Sequence, residues 1–279
     1  MSGMVINTNI ASLAAQRHLA SSRAEMETAM ERLSSGKRIN SAMDDAAGLT
    51  IAHSLDGKIA GLNQAVRNAN DGIALVNLAE GALDEVSSML VRMKELATQA
   101  INGTYTATDL DAMDLEYQAL EAGIDSIANY TTWNGTAILD GSTASLTFQV
   151  GDSSSDTISL TLQDMNVAAI GTSGGTQVSA TDLQNATNAA SALTVVSNAL
   201  AEVDSFRSTL GATANRMEHA ASNLMSRVEH QSAARSRIQD ADYATESANL
   251  AKAQVLQQAG TAMLAQANAS NANILSLLK

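Results

Sequence analysis

The chain has 279 residues, with no proline, no cysteine and only 3% aromatic residues. Nothing therefore forbids long helices, and neither a disulfide framework nor thiol catalysis is available. A formal net charge of −13 excludes nucleic acid as a partner, because phosphate contacts need clustered Lys and Arg. No apolar run reaches membrane-spanning length, so no membrane partner is expected. The opening MSGMVINTNIASL lacks the basic and continuous apolar regions of a cleaved secretory signal, so export would need another route.

In chain order, Ile6, Ile10 and Leu13 keep a helical 3-4 spacing, and Leu19, Met26, Met30 and Leu33 resume it after a one-residue slip. The strongest pattern follows. Ile51, Leu55, Ile59, Leu62, Val66, Ala69, Ile73, Val76, Ala79, Leu83, Val86, Leu90, Met93 and Ala97 form one apolar stripe, sustained for about six heptads as a coiled-coil seam requires. At a rise of about 1.5 Å per residue this helix is roughly 70 Å long, so its partners must be equally long. Gly57, Gly61, Gly72 and Gly81 interrupt it, each costing about 1 kcal/mol against Ala, which points to close helix packing.

A second seam, Met113, Tyr117, Leu120, Ile124 and Ile127, is expected to start at Thr108 or Asp109 and to end in a turn at Asn134-Gly135. The period then shortens. Leu146, Phe148 and Val150 alternate with polar residues, as do Ile158, Leu160 and Leu162, and the intervening Gly151-Asp152-Ser153-Ser154-Ser155-Asp156 predicts a β-hairpin. Residues 166–180 are rich in Gly, Ser and Thr and read as surface loop. The helical period returns at Leu193, Val196, Leu200 and Val203, and runs on through Leu210, Ala214, Met217, Ala221, Leu224 and Val228. This is the partner the first long helix needs.

The C-terminal stripe, Leu250, Leu256, Met263, Ala267, Ile274, Leu277 and Leu278, is thin like the N-terminal one. Such an edge removes little apolar surface from water compared with the conformational entropy of ordering both ends. Residues 1–40 and 240–279 are therefore expected to be disordered in a monomer and to fold on association. The fold class expected is mainly α. It is a long antiparallel coiled-coil bundle formed by the two halves, with a small β-hairpin and loop in the middle.

Against this background the sequence resembles bacterial flagellin. The resemblance is carried by Ile6-Asn7-Thr8-Asn9, by MERLSSGKRINSAMDDAAGLTIA (30–52), by GLNQAVRNANDGIALVNLAEGALDEV (61–86), by LVRMKELATQAINGT (90–104) and by TTWNGTAILDG (131–141). It resumes with LGATANRMEHAASNL (210–224), SRIQDADYATESANLAKAQVLQQAGTAMLAQAN (236–268) and the closing Ile274-Leu275-Ser276-Leu277-Leu278. Two departures are the absence of a proline near the last helix and Glu229-His230 where Glu-Asn is usual.

The resemblance implies a structural subunit of the flagellar filament, polymerising into a tubular propeller for motility and secreted through the flagellar export apparatus. The alternative is a hook–filament junction or related axial protein. Residues 1–40 and 240–279 would form an inner tube, with Ile6, Ile10, Leu13, Leu256, Met263, Leu277 and Leu278 as its seam. Residues 41–141 and 182–239 would form a rod-like domain, whose seam is expected to use Ile59, Leu62, Val66, Ile73, Val76, Leu83, Val86, Leu90, Leu200, Leu210, Met217 and Leu224. Residues 142–181 would replace the family's variable outer domain with a short surface hairpin and loop. Implied partners are further copies of the chain, an export chaperone on the C-terminal segment, a filament cap protein and a hook–filament junction protein. A vertebrate Toll-like receptor is also implied, through Arg92, Leu96, Gln99 and Glu116.

No catalytic, cofactor or metal site is expected. HExxH, GxSxG and P-loop patterns do not occur. His219 and His230 share a helix face but stand about 16 Å apart, too far for one metal. Asp109, Asp111 and Asp114 lack the glycine and glutamate of a calcium loop and read better as a capped helix start.

Overall fold

A computed structural model describes residues 8–172 and 175–276, with side chains to residue 270. It is 73% helical. The helices are α1 (Ile10–Ser35), α2 (Ala46–Ala100), α3 (Ala107–Tyr130), α4 (Ala186–Gln239) and α5 (Tyr243–Ser276). Between α3 and α4 lie the short strands β1 (Thr132–Trp133) and β2 (Thr136–Ala137), then β3 (Ser145–Gln149) and β4 (Thr157–Thr161). The mainly α class with a small central hairpin is the one observed. The chain divides into two compact units, one of residues up to Ile59 and from Glu229 onward, the other spanning Ala60–Val228.

In the first unit α1 and α5 run antiparallel. Asn9 Nδ2 donates to the Ala267 carbonyl at 3.2 Å, and the Tyr243 hydroxyl donates to the Leu33 carbonyl at 2.9 Å. Asn9 caps α1, accepting from the Ser12 amide at 2.9 Å. The helix ends at Gly36, whose φ of 70° is the left-handed conformation a C-terminal cap requires. There the chain is held by an isolated antiparallel bridge between Lys37 and Asp240, and the Ala241 amide donates to the Gly36 carbonyl at 3.0 Å.

The second unit is built on α2, α3 and α4 from one continuous core running from Leu75 to Leu210, with a smaller cluster of Leu62, Ala65 and Leu224 beside it. Within it Arg207 on α4 reaches Glu80 and Asp84 on α2 at 2.7 and 3.2 Å, while Arg92 on α2 reaches Glu116 on α3 at 2.8 Å. Of the anticipated seam, Leu62, Val76, Leu83, Val86, Leu90, Leu210, Met217 and Leu224 are buried, whereas Ile59, Val66, Ile73 and Leu200 are half-buried. Ala65, Leu75, Leu96 and Phe206 are also buried. A helix covered on more than one side presents a broader apolar face than a two-stranded seam.

The third helix starts earlier than its sequence suggests. Thr106 is the cap, and a capping box joins it to Asp109, which accepts from the Thr106 amide at 2.9 Å. These contacts with Thr106 hold the Asp109 carboxyl below its usual range. Asn134 and Gly135 both have positive φ, 49° and 79°, and form the two-residue turn between β1 and β2. The longer hairpin pairs Leu146 with Leu160 and Phe148 with Ile158.

Of the four glycines within the apolar stripe of α2, Gly72 alone sits in a close contact. A Cβ at Gly72 would lie 2.6 Å from Met217 Sδ and 3.2 Å from Phe148, so here helix, helix and hairpin converge on a position with no side chain. Gly57 and Gly81 face open space.

Candidate assembly surfaces

The first unit leaves its helix pair unfinished. Along α1 the only buried residues are Ser12 and Ala29. Along α5, among residues with described side chains, only Glu246 and Ala253 are buried. The large apolar side chains instead face outward: Ile10 is 68% exposed, Leu13 56%, Leu256 42% and Met263 63%. Met30 and Val255 are exposed too. These side chains belong to no core, Leu256 and Met263 line an open groove with His18 and Leu19, and among the described residues nothing covers the stripe. Ile6, Leu277 and Leu278 lie outside the described residues.

What fastens the pair is mainly polar. Arg32 Nη1 donates to Glu246 Oε1 at 3.1 Å, and Asn249 donates to the other oxygen of Glu246 at 3.3 Å. Asp242 at the head of α5 accepts from the amides of Ala244 and Thr245 and from the Thr245 hydroxyl, which hold its carboxyl below the usual range. The close helix approach occurs at Gly260, where an added Cβ would meet the Leu19 side chain at 3.1 Å.

On the second unit, Arg92, Gln99 and Glu116 share an exposed, hydrogen-bonded surface. Arg92 forks between Glu95 and Glu116 at 3.0 and 2.8 Å, and both acceptors raise the affinity of its guanidinium for the proton. Gln99 donates to the Tyr105 hydroxyl at 3.1 Å. Leu96 stands apart from these three: it is 2% exposed and belongs to the core.

Sequence reasoning missed how residues 164–172 and 175–183 are held. Apart from a 3-10 turn at Val178–Ala180 the described backbone there is irregular, yet Met165, Val167, Ile170, Val178 and Leu183 are buried. Carboxylates supplement its local backbone bonds as acceptors. Asp125 accepts from the Val167 amide, Glu202 from the Gly171 amide and Asp114 from the Leu183 amide, each at 2.9 Å. Tyr117, fully buried, donates to Thr181 Oγ1 at 2.7 Å, since the Thr181 hydroxyl is itself committed to the Val178 carbonyl. Burial pushes the Tyr117 phenol up to about 12. Among the described residues no cluster of three metal-ligating side chains occurs.

A helical pair with its apolar stripe turned outward, in a chain that also forms a self-contained helical core, defines an assembly subunit. Comparison with known proteins specifies which kind. The family model described as "Bacterial flagellin N-terminal helical region" matches residues 6–144, and that described as "Bacterial flagellin C-terminal helical region" matches residues 193–278. A flagellin of Halalkalibacterium halodurans is 42% identical over 99% of this chain and 100% of its own length, and one of Bacillus subtilis is 42% identical over the same shares. A crystal structure of Bacillus cereus flagellin is similar at 34% identity, with a TM-score of 0.50, over 57% of this chain and 88% of that one. The chain belongs to the bacterial flagellin family. It is a structural subunit of the flagellar filament, acting in motility outside the cell.

Proposed function

We propose that the α1–α5 pair is the polymerisation device, and that copies of the chain complete it by covering Ile10, Leu13, Leu256 and Met263. The exposure of these side chains carries the reading. Each large apolar side chain moved from water into a seam contributes about 1.5–3 kcal/mol, and a filament repeats that gain at every subunit. The same economy supports an inner tube of residues 1–40 and 240–279 that orders on assembly, Ile6, Leu277 and Leu278 extending its seam, and a rod of residues 41–141 and 182–239 that needs no partner to form its core. Residues 142–181 then supply the outward-facing hairpin and loop. The role is structural, without catalysis, cofactor or metal.

The test is polymerisation of purified protein followed by electron microscopy. The unaltered chain forms long filaments. Leu13→Asp and Leu256→Asp place a charge in the seam, and each abolishes filaments while far-ultraviolet circular dichroism shows the second unit still helical. Normal filaments from both variants would overturn the proposal.

Before assembly the exposed stripe of α5 needs cover, which supports an export chaperone on that segment. A cap protein at the growing tip and a hook–filament junction protein at the base complete the expected partners. Arg92, Gln99 and Glu116 support a reading as a surface recognised by a vertebrate Toll-like receptor, with Leu96 acting only by supporting α2 from within. Arg92→Ala in the monomer should weaken a receptor-reporter response. No response to the unaltered monomer would remove that reading.

A further inference from the structure

Between Lys94 and Arg207 the sequence contains no lysine, arginine or histidine. Within this stretch Asp114 and Asp125 hold the two ends of an otherwise irregular segment through the Leu183 and Val167 amides. Glu121 lies between them in sequence on α3, seven residues after one and four before the other, so the three carboxyls share one helix face. Its Oε1 is buried with no hydrogen-bond partner. A buried acceptor without a donor is costly when ionised and much less so when it carries a proton.

We propose that Glu121 is a proton-dependent clasp for the stretches 164–172 and 175–183: protonated, it lets Asp114 and Asp125 hold Leu183 and Val167 in place, and ionised, it loosens their grip. The groups around it add no compensating cation. The charges that reach it are those of Asp114 and Asp125 on its own helix, and the Tyr117 phenol lies close enough to feel it in turn. On α2, Arg92 is engaged with Glu95 and Glu116. Burial, and then the charges of Asp114 and Asp125, push the Glu121 carboxyl up to about 7. Opening the segment returns Glu121 to water and to its ordinary range. The closed form therefore binds the proton more tightly than the open form, and closure weakens as pH rises from the ordinary carboxyl range to about 7, then levels off.

The experiment is hydrogen exchange on the full-length monomer, followed by mass spectrometry and expressed as protection factors corrected for intrinsic exchange. Protection across residues 164–172 and 175–183 should fall about tenfold between about pH 5 and about pH 8, a partial response for a group that keeps some solvent contact. Peptides from the β3–β4 hairpin should not follow it. Glu121→Gln cannot ionise, and should make the segment's protection independent of pH. Asp125→Asn keeps an acceptor for Val167 but removes one repelling charge, so its response should shift to lower pH. A flat profile in the unaltered chain, or an undiminished slope in Glu121→Gln, would overturn the proposal.

Discussion

Arg32 on α1 and Glu246 on α5 meet at 3.1 Å, and the Glu246 side chain is only 9% exposed. Among the described residues no large apolar side chain is fully buried between these helices, and the ion pair is one of the contacts that fix their mutual register. Glu246 also lies in the first turn of α5, where a negative charge complements the helix dipole. Glu246→Ala leaves a guanidinium without its acceptor and should cost about 1–2 kcal/mol. If that loss is felt in the filament, the critical concentration for polymerisation rises about tenfold. A sedimentation assay measures it, and an unchanged value would show the pair to be ornamental.

Tyr117 offers a pH-dependent prediction. Its phenol sits up at about 12 in the folded chain, against an ordinary value of 10.0. The folded state thus holds a proton that the unfolded state releases first, and stability falls as pH rises from about 10 to about 12, by about 2–3 kcal/mol. Tyr117→Phe removes this alkaline slope. At neutral pH the variant also loses the bond to Thr181, at about 1 kcal/mol. Urea unfolding at a series of pH values tests both parts.

Two glycines of α2 should respond in opposite directions. At Gly81 a methyl group meets nothing within 4 Å, so Gly81→Ala should gain about 0.5–1 kcal/mol from helix propensity. At Gly72 the first added carbon runs into the thioether of Met217, itself fully buried, and comes close to Phe148. Gly72→Val should lose about 1–3 kcal/mol through overpacking. Thermal melts of the monomers decide, and equal shifts in the two variants would refute the distinction.

The long helices were legible because large apolar residues such as Leu62, Leu83 and Leu90 recur at helical spacing, and each is buried as that spacing implies. The outward stripe of Ile10, Leu13, Leu256 and Met263 was legible for the same reason, with its thinness pointing to an incomplete core. Other features depend on contacts that local pattern does not encode. Arg32 and Glu246 are separated by 214 positions. Val167, Ile170 and Val178 are isolated apolar residues among Gly, Ser and Thr, so their stretch reads as solvated loop. Only the approach of α3 and α4 buries them. Phe206 and Leu75 fall off the anticipated stripes and become core because the helices are covered on more than one side.

The carboxylate-held segment lies in a stretch that offers no target to trypsin-like proteases, which cut after lysine or arginine. Such an enzyme can trim the chain up to Lys94 and from Arg207 onward. Everything between, from the end of α2 through both hairpins to the middle of α4, must come away as one large acidic fragment. A subunit shed into a protease-rich medium would therefore lose its terminal helices long before this middle stretch is destroyed.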